Sequence, residues 1–150
     1  MHYLGLDIGG TKIAAVVMDA HGWEIRRYRC PTQKASYPQF VESVVAFIDQ
    51  IRHDIQQPMM TGIALPGSVS PLNGLIKNSN IQVINGRPLQ TDLRQLLGQT
   101  VVMANDGNGW PSAFTPPPGM MNNRLPLFTV VIAPSISAMR VRNDISLSCV

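Results

Sequence analysis

Leu6-Asp7-Ile8-Gly9-Gly10-Thr11-Lys12 is the stretch on which the reading of this chain turns. Two short apolar segments flank its centre, residues 3–8 and residues 12–18, and Gly9-Gly10-Thr11 separates them. Segments of that length with glycine punctuation predict a β-hairpin. Paired glycines in such a turn let backbone N–H groups approach a phosphate closely, which a side chain at either position would prevent. Thr11 adds a hydroxyl donor and Lys12 a charge. Asp7, at the end of the first strand, could hold Mg²⁺ directly or through water, because hard cations prefer carboxylate oxygen. The G-x-x-x-x-G-K spacing of a Walker loop is absent. An ordinary hairpin turn has the same composition, so on this stretch alone both readings stand.

Working outward, Asp19–Gly22 supplies the next turn and Trp23–Cys30 alternates as a third strand that Pro31 ends. From Pro38 to about Ile55 the period becomes helical, with Phe40, Val44, Phe47, Ile48, Ile51 and Ile55 as the core stripe. Residues 60–65 form a fourth strand stopped by Pro66-Gly67, and Leu75-Ile76 is a short extended piece. Pro88 suits the first turn of a second helix that buries Leu89, Leu93, Leu96 and Leu97 and ends at Gly98. Residues 100–104 make a fifth strand that delivers Asn105-Asp106 at its carboxyl end. Three strands, helix, strand, helix, strand is an α/β pattern that opens with an antiparallel meander and predicts a mixed five-stranded sheet with helices.

Two further clusters carry chemistry. In Leu65-Pro66-Gly67-Ser68 the glycine follows a strand and permits close backbone approach to a ligand. Asn78 and Asn80, in Lys77-Asn78-Ser79-Asn80, offer amides that both donate and accept, which suits sugar hydroxyls. Two solvated loops would have the same residues, since Asn and Gly dominate turns. Asp106, in Asn105-Asp106-Gly107-Asn108, is placed to accept a proton from a substrate hydroxyl, as a base that orients the nucleophile in phosphoryl transfer does. An Asx turn explains the same four residues without chemistry.

The 150 residues, 45% hydrophobic and 14% charged, suit one globular domain rather than a disordered chain. No apolar run approaches the roughly 18–20 residues that cross a bilayer, and no signal-peptide pattern opens the chain, so a cytoplasmic location is expected. The net charge of +3 is scattered, and only Arg26, Arg27 and Arg29 cluster, which is too little for a nucleic-acid stripe. Cys30 and Cys149 lie far apart without a C-x-x-C partner, so neither a disulfide nor a metal site is expected of them.

Taken in this order and spacing, the motifs resemble the ROK family of bacterial sugar kinases and sugar-responsive repressors. Residues 6–12 match its phosphate motif, and residues 105–108 match its N-D-A-N with Gly107 in place of alanine. The segment 65–80, with Asn85-Gly86-Arg87-Pro88-Leu89, looks closest to the fructokinase and mannokinase branch. The resemblance runs through residues 1–109. It implies the N-terminal lobe of an actin-like ATPase (ribonuclease H-like) fold and ATP-dependent phosphorylation of a hexose. It further implies that Gly9, Gly10, Thr11 and Lys12 lie at the ATP phosphates, with Asp7 as the Mg²⁺ carboxylate. Gly67, Asn80 and Asn105 would touch the sugar, Ser68 and Asn78 would neighbour it, and Asp106 would be the base. Repressors of the family carry a DNA-binding segment ahead of the phosphate motif, for which Leu6 leaves no room, so no nucleic-acid partner is expected.

Residues 110–150 have a different texture. Six of the 12 prolines fall between Pro111 and Pro134, and only four of the 21 Lys, Arg, Asp and Glu residues lie beyond Trp110. Residues 128–133 could form a strand, but the family's G-T-G-x-G-G loop, E-x-G-H segment and Cys-rich zinc site do not follow, so no zinc site is expected. Reading from the last base of the Trp110 codon gives alanine followed by codons compatible with Leu and Ser, and the shifted codon before it ends in TG, compatible with leucine. The family's helix start Leu-Ala-Leu-Ser thus fits that frame, and shifted reading of Met120-Met121-Asn122 gives Asp-Glu. The tail from about Gly109 therefore reads as a frameshift product. A lobe without its partner would be inactive alone and prone to self-association through the uncovered surface. A sugar-binding module or an inert product are the competing readings.

Overall fold

The computed structural model describes residues 1–105 and the backbone of Ile145–Ser146. Strand β1 (His2–Ile8) and β2 (Lys12–Met18) form the expected hairpin, in register from Ile8↔Ile13 to Tyr3↔Met18. Strand β3 (Glu24–Pro31) pairs antiparallel with β2 and completes the meander. Helix α1 (Tyr37–Ile55) then crosses to β4 (Met59–Leu65), which lies parallel to β1. A two-stranded ribbon, β5 (Ser68–Val69) with β6 (Ile76–Lys77), and a 3₁₀ turn at Gln82–Ile84 precede α2 (Leu89–Leu97). Helix α2 crosses to β7 (Val101–Asn105), parallel to β4. Parallel neighbours need such crossovers, because a tight turn can only join antiparallel strands. The sheet order is β7-β4-β1-β2-β3, and a two-residue strand β8 (Ile145–Ser146) extends it beside β3.

The period-2 alternation of the strands decides which side the helices cover. Leu4, Leu6 and Ile8 of β1 share one face with Ile13, Ala15 and Val17 of β2, and all six are buried in the core with both helices. Helix α1 begins where Ser36 supplies a side-chain acceptor to the Gln39 N–H (3.4 Å), and it ends where Gln56 takes a left-handed conformation (φ 53°). Its buried stripe is Phe40, Val41, Val44, Phe47, Ile48 and Ile51. Ile55, expected in that stripe, is only partly buried because it sits on the last turn.

Three boundary readings are corrected. Strand β3 starts at Glu24, and Trp23 is 61% exposed on the preceding turn. Pro31 is the last residue of β3, opposite Lys12, rather than the residue beyond it. Pro88 precedes α2, at φ −84° and ψ 53°, instead of lying in its first turn. Leu96 is 59% exposed, since Leu89, Leu93 and Leu97 at four-residue spacing make the buried stripe and Leu96 falls on its rim. The arginine cluster is divided by the same alternation. Arg26 and Tyr28 both reach Asp54 of α1, while buried Arg27 turns to Glu24 at 2.8 Å. The expected strand at 128–133 and the Pro-rich tail lie outside the described residues, apart from β8.

Candidate functional site

Strands β1, β4 and β7 are parallel neighbours, so their carboxyl ends open on one edge of the sheet. Asp7 pairs with Ala64, and Ala64 with Ala104. Asp7 and the residue before Asn105 are thus two strands apart, about 10 Å. That edge therefore collects the Gly9–Lys12 turn, the Pro66–Gly67 turn and Asn105. Ligand sites of open α/β sheets form outside the carboxyl ends of strands, where loops diverge. Asp106 lies outside the described residues.

The Gly9–Lys12 turn is closed by the Gly9 N–H donating to the Lys12 carbonyl at 2.9 Å. Gly9 must stay small, because a Cβ there would stand 3.1 Å from that same carbonyl oxygen. Gly10 has open space around it. Three consecutive carbonyls of the turn are then taken by the segment after β3. Thr32 Oγ1 donates to the Gly9 carbonyl at 2.7 Å, Lys34 Nζ to the Gly10 carbonyl at 2.6 Å, and the Thr32 N–H to the Thr11 carbonyl at 3.0 Å. Among the described residues, the amides of Gly10 and Thr11 have no acceptor. Thr11 and Lys12 are exposed at the turn. Thr32 and Lys34 were not legible as site residues, because two polar residues in a loop carry no signal of a contact 23 or 24 positions back.

The second loop is held differently. Gly67 has φ +101°, and a Cβ there would meet the Lys77 carbonyl oxygen at 2.7 Å and Ser79 at 3.0 Å. The close backbone approach expected of Gly67 is thus made by the chain's own 77–79 segment. Ser79 is buried, and Asn85 clamps it: the Ser79 N–H donates to Asn85 Oδ1 and Asn85 Nδ2 donates to the Ser79 carbonyl, both at 2.9 Å. Flanking Ser79, the side chains of Asn78 and Asn80 are exposed, and Asn78 takes a left-handed conformation (φ 57°). Asn105 Nδ2 donates to the Gly67 carbonyl, which ties the end of β7 to this loop. Asn78 lines a wide pocket of about 510 Å³ with Ser70, Asn73, Lys77 and Asn85, whereas Gly67, Asn80 and Asn105 are not in its wall. Ser68 is half-buried at the start of the ribbon.

A bridge beside this loop fixes the two helices. The Tyr37 hydroxyl donates to Asp92, and the Arg87 guanidinium lies 5.2 Å over the Tyr37 ring. Burial, then the Asp92 hydrogen bond, pushes the Tyr37 hydroxyl well above its ordinary range. Among the described residues no group of three or more His, Cys, Asp or Glu could hold a metal. No helix among the described residues is long and apolar enough to cross a membrane.

The model of the ROK family matches residues 3–115. The chain belongs to the ROK family. The N-acetyl-D-glucosamine kinase of Haemophilus influenzae is 33% identical over 106 residues, which are 71% of this chain and 35% of that protein. Among solved structures, the ROK hexokinase of Thermus thermophilus is 27% identical with a TM-score of 0.62, over 72% of this chain and 36% of that one. The ROK glucokinase of Streptomyces griseus, in complex with glucose and AMPPNP, is also 27% identical, with a TM-score of 0.59 over 72% of this chain and 34% of that one. The chain thus spans about a third of the length of the ROK relatives it matches, and its sheet and two helices are those of the actin-like ATPase lobe.

Proposed function

We propose that this chain carries the phosphate and sugar seats of an ATP-dependent hexose kinase. The observation that most supports the reading is the shared sheet edge, on which the Gly9–Lys12 turn and Asn105 stand two strands apart. In this reading the Gly10 and Thr11 amides, with Lys12, hold the ATP phosphates, and Asp7 holds Mg²⁺, which would neutralise the developing charge. Asn80 and Asn105 hold the sugar, with Ser68 and Asn78 beside it, and Gly67 lets residues 77–79 pack close enough to carry Asn78 and Asn80. Asp106 takes the proton as the sugar hydroxyl oxygen bonds to the γ-phosphorus and the bond from that phosphorus to the bridging oxygen breaks. Fructose or mannose is the proposed hexose, from the resemblance of residues 65–80. N-acetylglucosamine and glucose are the competing sugars, since those are what the named relatives act on or bind.

Phosphoryl transfer in two-lobed kinases needs closure over both substrates. These residues by themselves are therefore proposed to be inactive or feeble in turnover and to self-associate; a non-catalytic sugar-binding module and an inert product are the alternatives. The tail from about Gly109 is proposed to be a frameshift product. Resequencing the coding region tests it: an open alternative frame encoding G-T-G-x-G-G supports the proposal, and a clean frame ends it. The function is tested by ATP-dependent phosphorylation of fructose, mannose, glucose and N-acetylglucosamine. Turnover with any of them that Asp106→Asn abolishes, with the fold intact, supports the base assignment. Unchanged turnover in that variant removes it. Calorimetric sugar binding without turnover favours the binding module.

A further inference from the structure

The three carbonyls fastened in the β1–β2 turn have a consequence for the amides next to them. Across a trans peptide the carbonyl oxygen and the following N–H point in opposite directions from one rigid plane, and no peptide among the described residues is cis. Thr32 Oγ1 on the Gly9 carbonyl therefore turns the Gly10 N–H away from Thr32, and Lys34 Nζ on the Gly10 carbonyl turns the Thr11 N–H away from Lys34. Neither amide has an acceptor among the described residues. The two donors are held by contacts on their far sides, which leaves their own direction open to a ligand.

We propose that Thr32 and Lys34 are positioning residues, holding the Gly10 and Thr11 amides outward as a two-donor seat for a polyphosphate. The inference rests on the phosphate reading of this turn and adds what fixes the seat. The two residues divide the work. Thr32 is buried, and its backbone and side chain grip the carbonyls on both sides of the one Lys34 takes. Lys34 is exposed and brings a full charge to the Gly10 carbonyl. A charged donor on the oxygen polarises the peptide and makes the Thr11 N–H a stronger donor to an anion opposite. Without Thr32 Oγ1 and Lys34 Nζ, the two peptide planes could rotate, and a bound anion would have to order them at its own expense.

Isothermal titration of the full chain with tripolyphosphate, which carries the phosphates of ATP without the nucleoside, tests the assignment. Thr32→Val keeps the shape and the backbone bond but removes the hydroxyl, and Thr32→Ser restores it. Lys34→Met removes the exposed charge together with its hydrogen bond to the Gly10 carbonyl. The expected result is a loss of affinity on the order of tenfold in both Thr32→Val and Lys34→Met. Thr32→Ser recovers most of it, Lys34→Met leaves the melting temperature unchanged, and its effect shrinks at high salt. A purely structural clasp would lower the melting temperature of Thr32→Val and leave the affinity of Lys34→Met at the wild-type value. Wild-type affinity in Lys34→Met and in folded Thr32→Val overturns the proposal, and Lys34→Met decides alone if Thr32→Val does not fold. A wild-type chain that does not bind tripolyphosphate removes the phosphate reading itself, an outcome distinct from equal binding by all variants.

Discussion

The Gly9–Lys12 turn and the 66–80 loop stand on the same edge of the sheet, yet they are built on different plans. In the turn the groups without a partner among the described residues are the Gly10 and Thr11 amides, and side chains from elsewhere fasten the carbonyls behind them. In the loop side chains from elsewhere also hold the backbone, Asn85 around Ser79 and Asn105 on Gly67, but there the exposed groups are the side chains of Asn78 and Asn80. The glycines differ accordingly. Gly10 has open space around it, whereas Gly67 has none and a positive φ besides. One glycine faces open space; the other leaves room for residues 77–79.

That contrast breaks most visibly if Gly67 tolerates a methyl group. With φ at +101° and a Cβ 2.7 Å from the Lys77 carbonyl oxygen, Gly67→Ala is expected to destabilise the chain by about 3 kcal/mol or more in urea unfolding. A loss below about 1 kcal/mol would mean that the loop is free to move. Asn85→Ala comes next. It leaves the buried Ser79 N–H and carbonyl without the clamp, with an expected cost of about 2 kcal/mol and weakened sugar binding, both read on the same sample.

Tyr28, on the seam between β3 and α1, gives a baseline away from both loops. Burial, then its hydrogen bond to Asp54, raises its hydroxyl from 10.0 to about 12. A raised pKa contributes stability that is complete below the unfolded value and is lost as pH climbs to the folded one. The wild type should thus lose on the order of 2 kcal/mol relative to Tyr28→Phe between about pH 10 and 12, as read from paired unfolding curves. No divergence in that window would contradict the Tyr28–Asp54 contact. Gly10→Ala should move stability least, within about 0.5 kcal/mol, since nothing lies within 4 Å of its added Cβ. Its expected effect, on the proposed phosphate reading, is on tripolyphosphate affinity.

The same two loops divide what was legible in the sequence. Strand and helix periodicity gave the meander and a mixed five-stranded sheet with two helices, because burial of Leu4, Leu6, Ile13 and Phe47 is a one-dimensional pattern, whereas the strand order came only from the structure. Gly9-Gly10-Thr11 was legible as a turn for the same reason. The residues that hold it, Thr32 and Lys34, were not, since their contacts exist only once β3 lies beside β2. Gly67 was legible as a place of close approach, but not as an approach by residues 77–79 of the chain itself. Leu96 was misread because a helical stripe gives direction without saying where the neighbouring surface ends.

The central claim is that one sheet edge presents two separate seats, an amide seat and an asparagine seat. Its most direct measurement is a pair of ¹⁵N-resolved NMR titrations of the same sample, one with tripolyphosphate and one with a hexose. Tripolyphosphate should move the Gly10 and Thr11 amides while leaving Asn78 and Asn80 in place, and the hexose should move the side-chain amides of Asn80 and Asn105 while leaving Gly10 in place. Both ligands shifting one common set of resonances, or tripolyphosphate leaving Gly10 and Thr11 unmoved, would contradict it.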